Sequence, residues 1–242
     1  MTWETIGGMK LAITEDFRFG TDALLLAHFA APRNAGETVC DLGTGCGIIP
    51  FLLIQRTPAP GRMIGVDIQK EAIDLARRSA EQNGCENLAF LNLDWKHPAA
   101  IAPTSTVDRV ICNPPYFPEN AGKVSDSAPR RIARTETGET LNEIAHTAAF
   151  LLKTGGKLCL CHRPERLCDL VCTLRAHRLE PKRLFAVQQR AGKDPWLILV
   201  EAVKGAKPGI TLSAPFILED ENGKTALYKE IYQLYGGDTY DR

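Results

Sequence analysis

The sequence has no excess of charge of either sign. Its 242 residues contain 29 Lys and Arg against 29 Asp and Glu, so the formal net charge is zero. A protein with no net charge has no strong overall electrostatic field, so it binds nucleic acid only through a local basic patch. No apolar run reaches membrane-spanning length, and the first ten residues lack the basic-then-apolar pattern of a signal peptide. We therefore expect neither a membrane segment nor a secretory leader.

Metal-ligand spacing is also missing. Eight cysteines occur, but none forms a C-x-x-C pair, and no pair of histidines lies near them at zinc spacing. Four cysteines lie inside apolar, strand-like runs, where a thiol acts as a small core side chain: Cys40, Cys112, Cys159 and Cys161. We expect reduced structural thiols, no metal and a cytoplasmic location. The sequence is compatible with a monomer or a homodimer.

Strand-like and helical patterns alternate along most of the chain. The predicted strands are residues 38–42, 61–68, 87–94, 107–112, 155–163, 181–189 and 195–204. Helical patterns separate the first three strands from one another and the fourth, fifth and sixth from one another, whereas the last two lie close in sequence with no helix between them and suit an antiparallel hairpin at the sheet edge. Apolar strands that alternate with helices predict a parallel sheet covered on both faces. The fold class is therefore α/β: a doubly wound, Rossmann-like sheet of about seven strands, mostly parallel, with the last strand antiparallel.

A glycine-rich turn, "DLGTGCG" from Asp41 to Gly47, joins the first of these strands to a helix. Gly43, Gly45 and Gly47 allow a ligand to approach the backbone closely. Doubly wound folds bind nucleotide-like cofactors at such a turn, but the spacing differs from the dinucleotide pattern and the G-K-[ST] of a phosphate loop is absent. S-adenosylmethionine fits, because it carries a sulfonium and an ammonium group and no phosphate.

Carboxylates stand at the carboxyl ends of three successive strands. Asp41 precedes the glycine turn, Asp67 ends the second strand in "GVDIQ", and Asp94 ends the third. A carboxylate at the second position accepts hydrogen bonds from ribose hydroxyls in dinucleotide folds, and Asp94 is placed to reach the adenine edge of the cofactor. A single carboxylate at a strand end is ordinary, because loops are polar. Three carboxylates at the ends of three successive strands favour a cofactor site.

The fourth strand runs into "VICNPPYF", from Val110 to Phe117, which delivers Asn113, Pro114 and Tyr116 to the same edge. Two prolines make a stiff turn. A methyl acceptor that is an exocyclic amine needs acceptors on its N–H groups, which the Asn113 side-chain carbonyl and the Pro114 backbone carbonyl supply. The Tyr116 ring offers a surface on which a planar base stacks. Taken alone, the two prolines are also a common way for a strand to end in a turn.

The motifs "DLGTGCGIIP", "GVDIQ", "LNLDW" and "VICNPPYF", in this order, resemble class I methyltransferases. With "FRFGTDALLLAHF" upstream and "RRIARTE", "LLKTGGKL", "HRPERL" and "EPKRLFAVQ" downstream, the pattern resembles the bacterial tRNA1(Val) adenine-37 N6-methyltransferase family. Thr135 stands where that family usually has His. The resemblance implies a single domain over residues 1–242, with residues 1–35 as an extension packed near the cofactor site. It implies that Asp22, Ile68 and Asn113 join the residues named above in binding the cofactor.

Two other functions stay open. Release-factor glutamine methyltransferases resemble this chain in "NPPY", but usually carry a helical domain ahead of the cofactor motif, where this chain has fewer than about fifty residues. A cofactor-binding module without catalysis would not need "NPPY". A basic stretch just past the turn favours tRNA as the partner, with four residues expected on phosphates: Lys123, Arg130, Arg131 and Arg134. Further along, Arg178, Lys182, Arg183, Arg190 and Lys193 extend this set.

Overall fold

The computed structural model describes residues 1–56, 58–114, 117–118, 135–136 and 140–233, with the backbone alone described at 117–118, 135–136 and 233. The strands are β1 (Thr2–Ile6), β2 (Met9–Ile13), β3 (Thr38–Leu42), β4 (Arg62–Asp67), β5 (Leu88–Asn92), β6 (Val107–Cys112), β7 (Phe117–Pro118), β8 (Thr135–Glu136), β9 (Leu152–His162), β10 (Leu179–Arg190), β11 (Leu197–Lys204), β12 (Thr211–Leu212), β13 (Phe216–Asp220) and β14 (Gly223–Lys224). The helices are α1 (Thr21–Phe29), α2 (Ile48–Ile54), α3 (Lys70–Asn83), α4 (Pro98–Ile101), α5 (Thr140–Leu151), α6 (Leu167–Ala176) and α7 (Ala226–Gln233).

A ten-stranded sheet forms the centre, in the order β14-β13-β10-β11-β9-β6-β3-β4-β5, with β12 beside β10. The four strands from β5 to β6 and their neighbour β9 are all parallel. The chain starts the sheet at β3, moves outward through β4 and β5, and then returns to place β6 on the other side of β3. This reversal opens a crevice at the carboxyl ends of β3 and β6, where doubly wound sheets bind ligands.

The last two predicted strands form the expected hairpin, and β11 is antiparallel to both of its neighbours, β9 and β10. The hairpin is not at the sheet edge, however. Strands β12 and β13 pair with the outer side of β10, and β14 continues beyond β13. Sequence inspection missed these strands because β12 and β14 have two residues each and leave no period to detect.

Alternate strand residues face two separate apolar cores, as expected for a sheet covered on both faces. Ile111 of β6 joins the core formed with α1, α2, α3 and α7, whereas the next residue, Cys112, faces α5 and α6. Cys159 and Cys161 of β9 lie on the same side as Ile111, so these two thiols share a sheet face. All eight cysteines are free.

The N-terminal residues form a hairpin that lies against α3. Gly7 and Gly8 both have positive φ, of 57° and 89°, which a tight two-residue turn between antiparallel strands requires. The amide of Ala12 in β2 donates to the buried Ser79 hydroxyl at 2.9 Å, and Asn83 bonds both the N–H and the carbonyl of Lys10. These bonds join β2 to the last turns of α3.

Helix α1 begins at Thr21. Gly20 is its N-cap, in an extended conformation, so neither Thr21 nor Asp22 caps the helix. The reason lies in the partners of the two side chains. The Thr21 hydroxyl bonds the Tyr232 hydroxyl, and the Asp22 carboxylate accepts a hydrogen bond from Asn113.

Candidate active site at the carboxyl edge of the sheet

The glycine turn adopts a conformation that requires glycine at three positions. Gly43, Gly45 and Gly47 have φ of 73°, 55° and 87°. A Cβ on Gly47 would lie 2.9 Å from the Phe90 ring, and one on Gly43 would lie 3.0 Å from Trp95, so both also sit in tight packing. A Cβ on Gly45 would meet no atom within 4 Å. The turn therefore presents open backbone at Gly45, between two glycines fixed by aromatic rings.

Asp41, the second-to-last residue of β3, is a buried carboxylate with one satisfied oxygen. The Thr44 hydroxyl donates to its Oδ2 at 2.7 Å, while Oδ1 is buried and has no hydrogen-bond partner. Burial raises the pKa of Asp41 to about 7, the Thr44 hydrogen bond opposes that rise, and the neighbouring Asp67 adds to it. A buried, unsatisfied carboxylate oxygen is costly unless a ligand supplies a donor.

Asp67 at the end of β4 is held by backbone amides. The Gly45 amide donates to Oδ2 at 2.9 Å and the Gln69 amide to Oδ1 at 2.8 Å. Burial raises the pKa of Asp67, and these two hydrogen bonds counteract part of the rise. The Asn92 side chain donates to the carbonyls of Asp67 and Ile68, which ties the β4 end to the β5 end. Ile68 itself is 58% exposed beside this carboxylate.

Asp94 lies two residues past the end of β5, whereas the sequence placed it within that strand. Its carboxylate accepts the amide of Lys96 at 3.0 Å and is half-buried. The next side chain, Trp95, packs against Gly43, and its indole Nε1 is buried without a hydrogen-bond partner. The structure therefore brings Asp41, Asp67 and Asp94 to one edge of the sheet, around the glycine turn.

Asn113 directly follows β6, and two side chains hold its amide. Its Nδ2 donates to Asp22 Oδ2 at 3.0 Å, and its Oδ1 accepts a hydrogen bond from the Cys161 thiol at 2.9 Å. Because a carboxylate only accepts, Asp22 defines which end of the amide faces α1. Asp22, expected from the resemblance to contact the cofactor, thus lies against Asn113, and Pro114 is buried next to it.

Five predicted site residues lie outside the described residues: Tyr116, Lys123, Arg130, Arg131 and Arg134. Within the described part of the chain, no group of three or more His, Cys, Asp or Glu side chains is arranged to hold a metal ion. In the same ranges, none of the helices combines the length and apolar character needed to cross a bilayer.

Comparison with known proteins agrees with this geometry. Residues 33–192 match the methyltransferase domain family. A tRNA1(Val) (adenine(37)-N6)-methyltransferase of Tolumonas auensis is 30% identical over 223 residues, which cover 89% of this chain and 90% of the relative. A protein of the same name from Porphyromonas gingivalis is 32% identical, with 76% of this chain and 73% of the relative covered. The chain belongs to the tRNA1(Val) (adenine(37)-N6)-methyltransferase family.

The fold of this family member is shared more widely. The crystal structure of a predicted O-methyltransferase from Agrobacterium tumefaciens superposes with a TM-score of 0.71 at 22% identity, over 88% of this chain and 96% of that one. A release factor glutamine methyltransferase of Chlorobaculum tepidum is 35% identical over 130 residues, which cover 50% of this chain and 44% of the relative. The protein is a methyltransferase, with an α/β, doubly wound sheet that is mostly parallel.

Three residues of the site escaped sequence reasoning in this family member. Thr44 satisfies one oxygen of Asp41, Trp95 packs on the glycine turn, and Cys161 bonds Asn113. Thr44 lies inside the quoted glycine motif, so a polar residue three positions after the carboxylate was a usable signal. Cys161 left no signal of its own, because its partner is 48 residues away and depends on how β6 and β9 align.

Proposed function

We propose that this protein transfers a methyl group from S-adenosylmethionine to the exocyclic N6 of an adenine in tRNA, with an anticodon-loop adenine as the target. The observation that carries the proposal is the position of Asn113. Its amide follows the central strand β6, at the sheet edge that also bears the glycine turn, and Asp22 and Cys161 hold it in one orientation. The names of the full-length relatives supply the substrate class. Because tRNA is the substrate, we assign the reaction to the cytoplasm.

The residues at the glycine turn fit the proposed cofactor. S-adenosylmethionine supplies an electrophilic methyl group on a cationic sulfur when it is bound. The unpartnered Asp41 oxygen suits the ammonium group of this molecule, and the open backbone at Gly45 suits close approach of a ligand. We assign ribose hydroxyls to Asp67, whose carboxylate keeps lone pairs beyond the two amides it accepts. Asp94 and the exposed Ile68 are assigned to the adenine.

The acceptor side of the site suits an amino group attached to a ring. The lone pair of such a nitrogen is delocalised, so the enzyme must hold the N–H bonds in a direction that turns the lone pair toward the methyl group. We assign one N–H to Asn113 Oδ1 and the other to the Pro114 carbonyl, whose chain is stiffened by Pro115. Tyr116 is assigned to stack on the base. The chemistry then needs alignment rather than a separate base, and alignment alone is worth several kcal/mol.

Contact with tRNA is assigned to the basic stretch after the turn, with Lys123, Arg130, Arg131 and Arg134 on phosphates. The later basic residues lie at two opposite edges of the sheet. Strand β10 is parallel to β9, so Arg190 at its end lies at the carboxyl edge with the site, and Lys182 near its start lies at the opposite edge. Arg183 pairs with Glu201 and Arg190 pairs with Glu219, each at 3.1 Å. Of the later basic residues, Arg190 and the following Lys193 are therefore the ones at the active-site edge.

A glutamine side chain in a release factor is the second candidate acceptor, because the same turn suits a primary amide. The relative that bears that activity in its name aligns with less than half of its length, whereas the tRNA-modifying relatives align over most of theirs. This difference in coverage favours tRNA.

The test is direct methylation by the purified protein. Unmodified tRNA and unmodified release factor are each incubated with labelled S-adenosylmethionine, and the tRNA is digested to nucleosides for mass spectrometry. We expect N6-methyladenosine in the tRNA and no label in the release factor. Label in the release factor alone would overturn the tRNA assignment. In cells, total tRNA from a strain that lacks the gene should lose the same nucleoside.

A further inference from the structure

Cys161 and Asn113 meet because of the register between two parallel strands. Ile111 of β6 pairs with Cys159 of β9, and Cys112 pairs with Leu160, so the next residues, Asn113 and Cys161, stand side by side at the carboxyl edge. Both belong to the sheet face that carries α1. The thiol is fully buried, and its sulfur lies 2.9 Å from Asn113 Oδ1.

Two neighbours together hold the Asn113 amide. The Asp22 carboxylate takes an N–H from Nδ2 at 3.0 Å, and the Cys161 thiol gives its proton to Oδ1. A half-turn of the amide would place its oxygen against the carboxylate and its NH2 group against the thiol, where no acceptor as good as a carboxylate is present. The pair therefore specifies one orientation of a side chain whose two ends are nearly equal in size.

The thiol keeps its proton under ordinary conditions. Burial raises the pKa of Cys161 well above its usual value, and the negative charge of Asp22 and the nearby Cys112 act in the same direction. A thiol is a weak donor with a single proton, and the Asn113 carbonyl oxygen has two lone pairs. The thiol therefore occupies one lone pair and leaves the other for a substrate N–H. This is the arrangement that an acceptor of the target amine requires.

We propose that Cys161 is a positioning residue for methyl transfer: its thiol holds the Asn113 carbonyl in the direction that receives the N–H of the target amine. The inference rests on the proposed function, because it assigns Cys161 a part in that same step. The inference goes beyond the proposed function because it names a buried residue on β9, 48 positions after Asn113. The effect of this residue on the rate passes through the Asn113 side chain. Cys161 itself does not contact the substrate.

The experiment compares three variants of the full chain. Cys161→Ala removes the donor, Cys161→Ser keeps a donor in the same place, and Cys112→Ala removes an equally buried thiol whose side chain faces the opposite core. Single-turnover methylation of unmodified tRNA, affinity for S-adenosylmethionine and thermal unfolding are measured for each. We expect Cys161→Ala to slow the methylation step about tenfold, the effect of one neutral hydrogen bond, with cofactor affinity unchanged.

The two controls separate positioning from packing. Cys161→Ser should recover most of the rate, and Cys112→Ala should lower the unfolding temperature to a similar degree as Cys161→Ala with little effect on the methylation step. Equal rates for Cys161→Ala and Cys112→Ala, in preparations where the wild type methylates tRNA, would overturn the inference. If the wild type methylates no tRNA, the proposed function fails instead.

An infrared measurement tests the contact without any activity. The S–H stretching band of Cys161 is isolated as the difference between wild type and Cys161→Ala, and again in an Asn113→Ala background. Loss of the carbonyl acceptor should move the band to higher frequency, because hydrogen bonding weakens the S–H bond. A band at the same frequency in both backgrounds would show that the thiol does not donate to Asn113, and would overturn the inference whatever the substrate.

Discussion

The two halves of the active-site edge are built in different ways. In the half that we assign to the cofactor (the cofactor half), at the ends of β3 and β4, backbone amides and a neighbouring hydroxyl hold carboxylates: Gly45 and Gln69 hold Asp67, and Thr44 holds Asp41. In the half that we assign to the methyl acceptor (the acceptor half), at the ends of β6 and β9, side chains from distant parts of the sequence hold an amide. Asn113 is 91 residues from one partner and 48 from the other.

This difference has a functional meaning. Backbone amides of a tight turn are always present once the turn forms, so the cofactor half is specified mainly by backbone groups and by glycines of positive φ. The acceptor half depends on side chains that meet only after α1, β6 and β9 have packed. We therefore expect substitutions in the first half to alter cofactor affinity, and those in the second half to alter the rate of methyl transfer with affinity unchanged.

The largest effect is expected from Asn113→Ala. The variant should bind S-adenosylmethionine normally, while the single-turnover rate on tRNA falls on the order of 10²-fold or more, because the nucleophile loses its alignment at the transition state. Asn87→Ala is a matched control, since this asparagine bonds the Pro60 carbonyl beside the amino ends of the strands. A near-normal rate for Asn113→Ala would remove the distinction between the halves and leave "NPPY" as a structural turn.

The same contrast explains how much the sequence predicts. The strand-turn-helix of "DLGTGCG" and the carboxylates at the ends of β3 and β4 are recognisable because Thr44 lies three residues from Asp41 and Gln69 two residues from Asp67, although the Gly45 amide that also holds Asp67 is 22 residues away. The contacts of Asn113 are not, since they need the register of β6 against β9 and the packing of α1. The strands beyond β10 were missed for a related reason: β13 is recruited to the sheet edge by pairing with β10 rather than by a pattern of its own.

Asp67→Ala tests the cofactor half. Loss of a carboxylate that accepts hydrogen bonds from a ligand should weaken S-adenosylmethionine binding by about 1–3 kcal/mol. The methylation rate at saturating cofactor should change much less. Isothermal calorimetry measures the affinity, and Asp74→Ala, which removes an exposed carboxylate from α3, serves as the control. Unchanged affinity would exclude Asp67 from the binding site.

Asp41 should make the stability of the cofactor-free protein depend on pH. Burial raises its pKa to about 7 in the folded state, so the folded protein holds this proton more tightly than the unfolded chain does. The stabilising effect of the protonated form is therefore present at low pH and is lost as the pH rises through about 7. Between pH 6 and pH 7 this group alone should lower the free energy of unfolding by about 1 kcal/mol.

Urea unfolding of wild type and Asp41→Asn at the two pH values measures this contribution. The wild type should lose more stability than Asp41→Asn, since the amide does not titrate. Parallel curves for the two proteins would mean that Asp41 is already charged at pH 6. The acceptor half offers the contrast: Asn113→Ala should leave the pH dependence of unfolding as it is in the wild type.

The smallest effect is expected at the outer end of the acceptor half, where α7 packs against α1. The Tyr232 hydroxyl lies 2.8 Å from the Thr21 hydroxyl, and Thr21 directly precedes Asp22, which holds Asn113. Tyr232→Phe keeps the ring and its stacking on Tyr228, at 4.0 Å between centroids, and removes the hydrogen bonds of its hydroxyl to Thr21 and Tyr228. Stability should fall by about 1 kcal/mol, and the methylation rate by a few-fold with cofactor affinity unchanged.

A double-mutant cycle with Thr21→Val isolates the contact between the two hydroxyls, because the second substitution should add little once the first is made. Fully additive losses in stability would show that the two hydroxyls do not interact, and a fall in cofactor affinity rather than in rate would place α1 in the cofactor half.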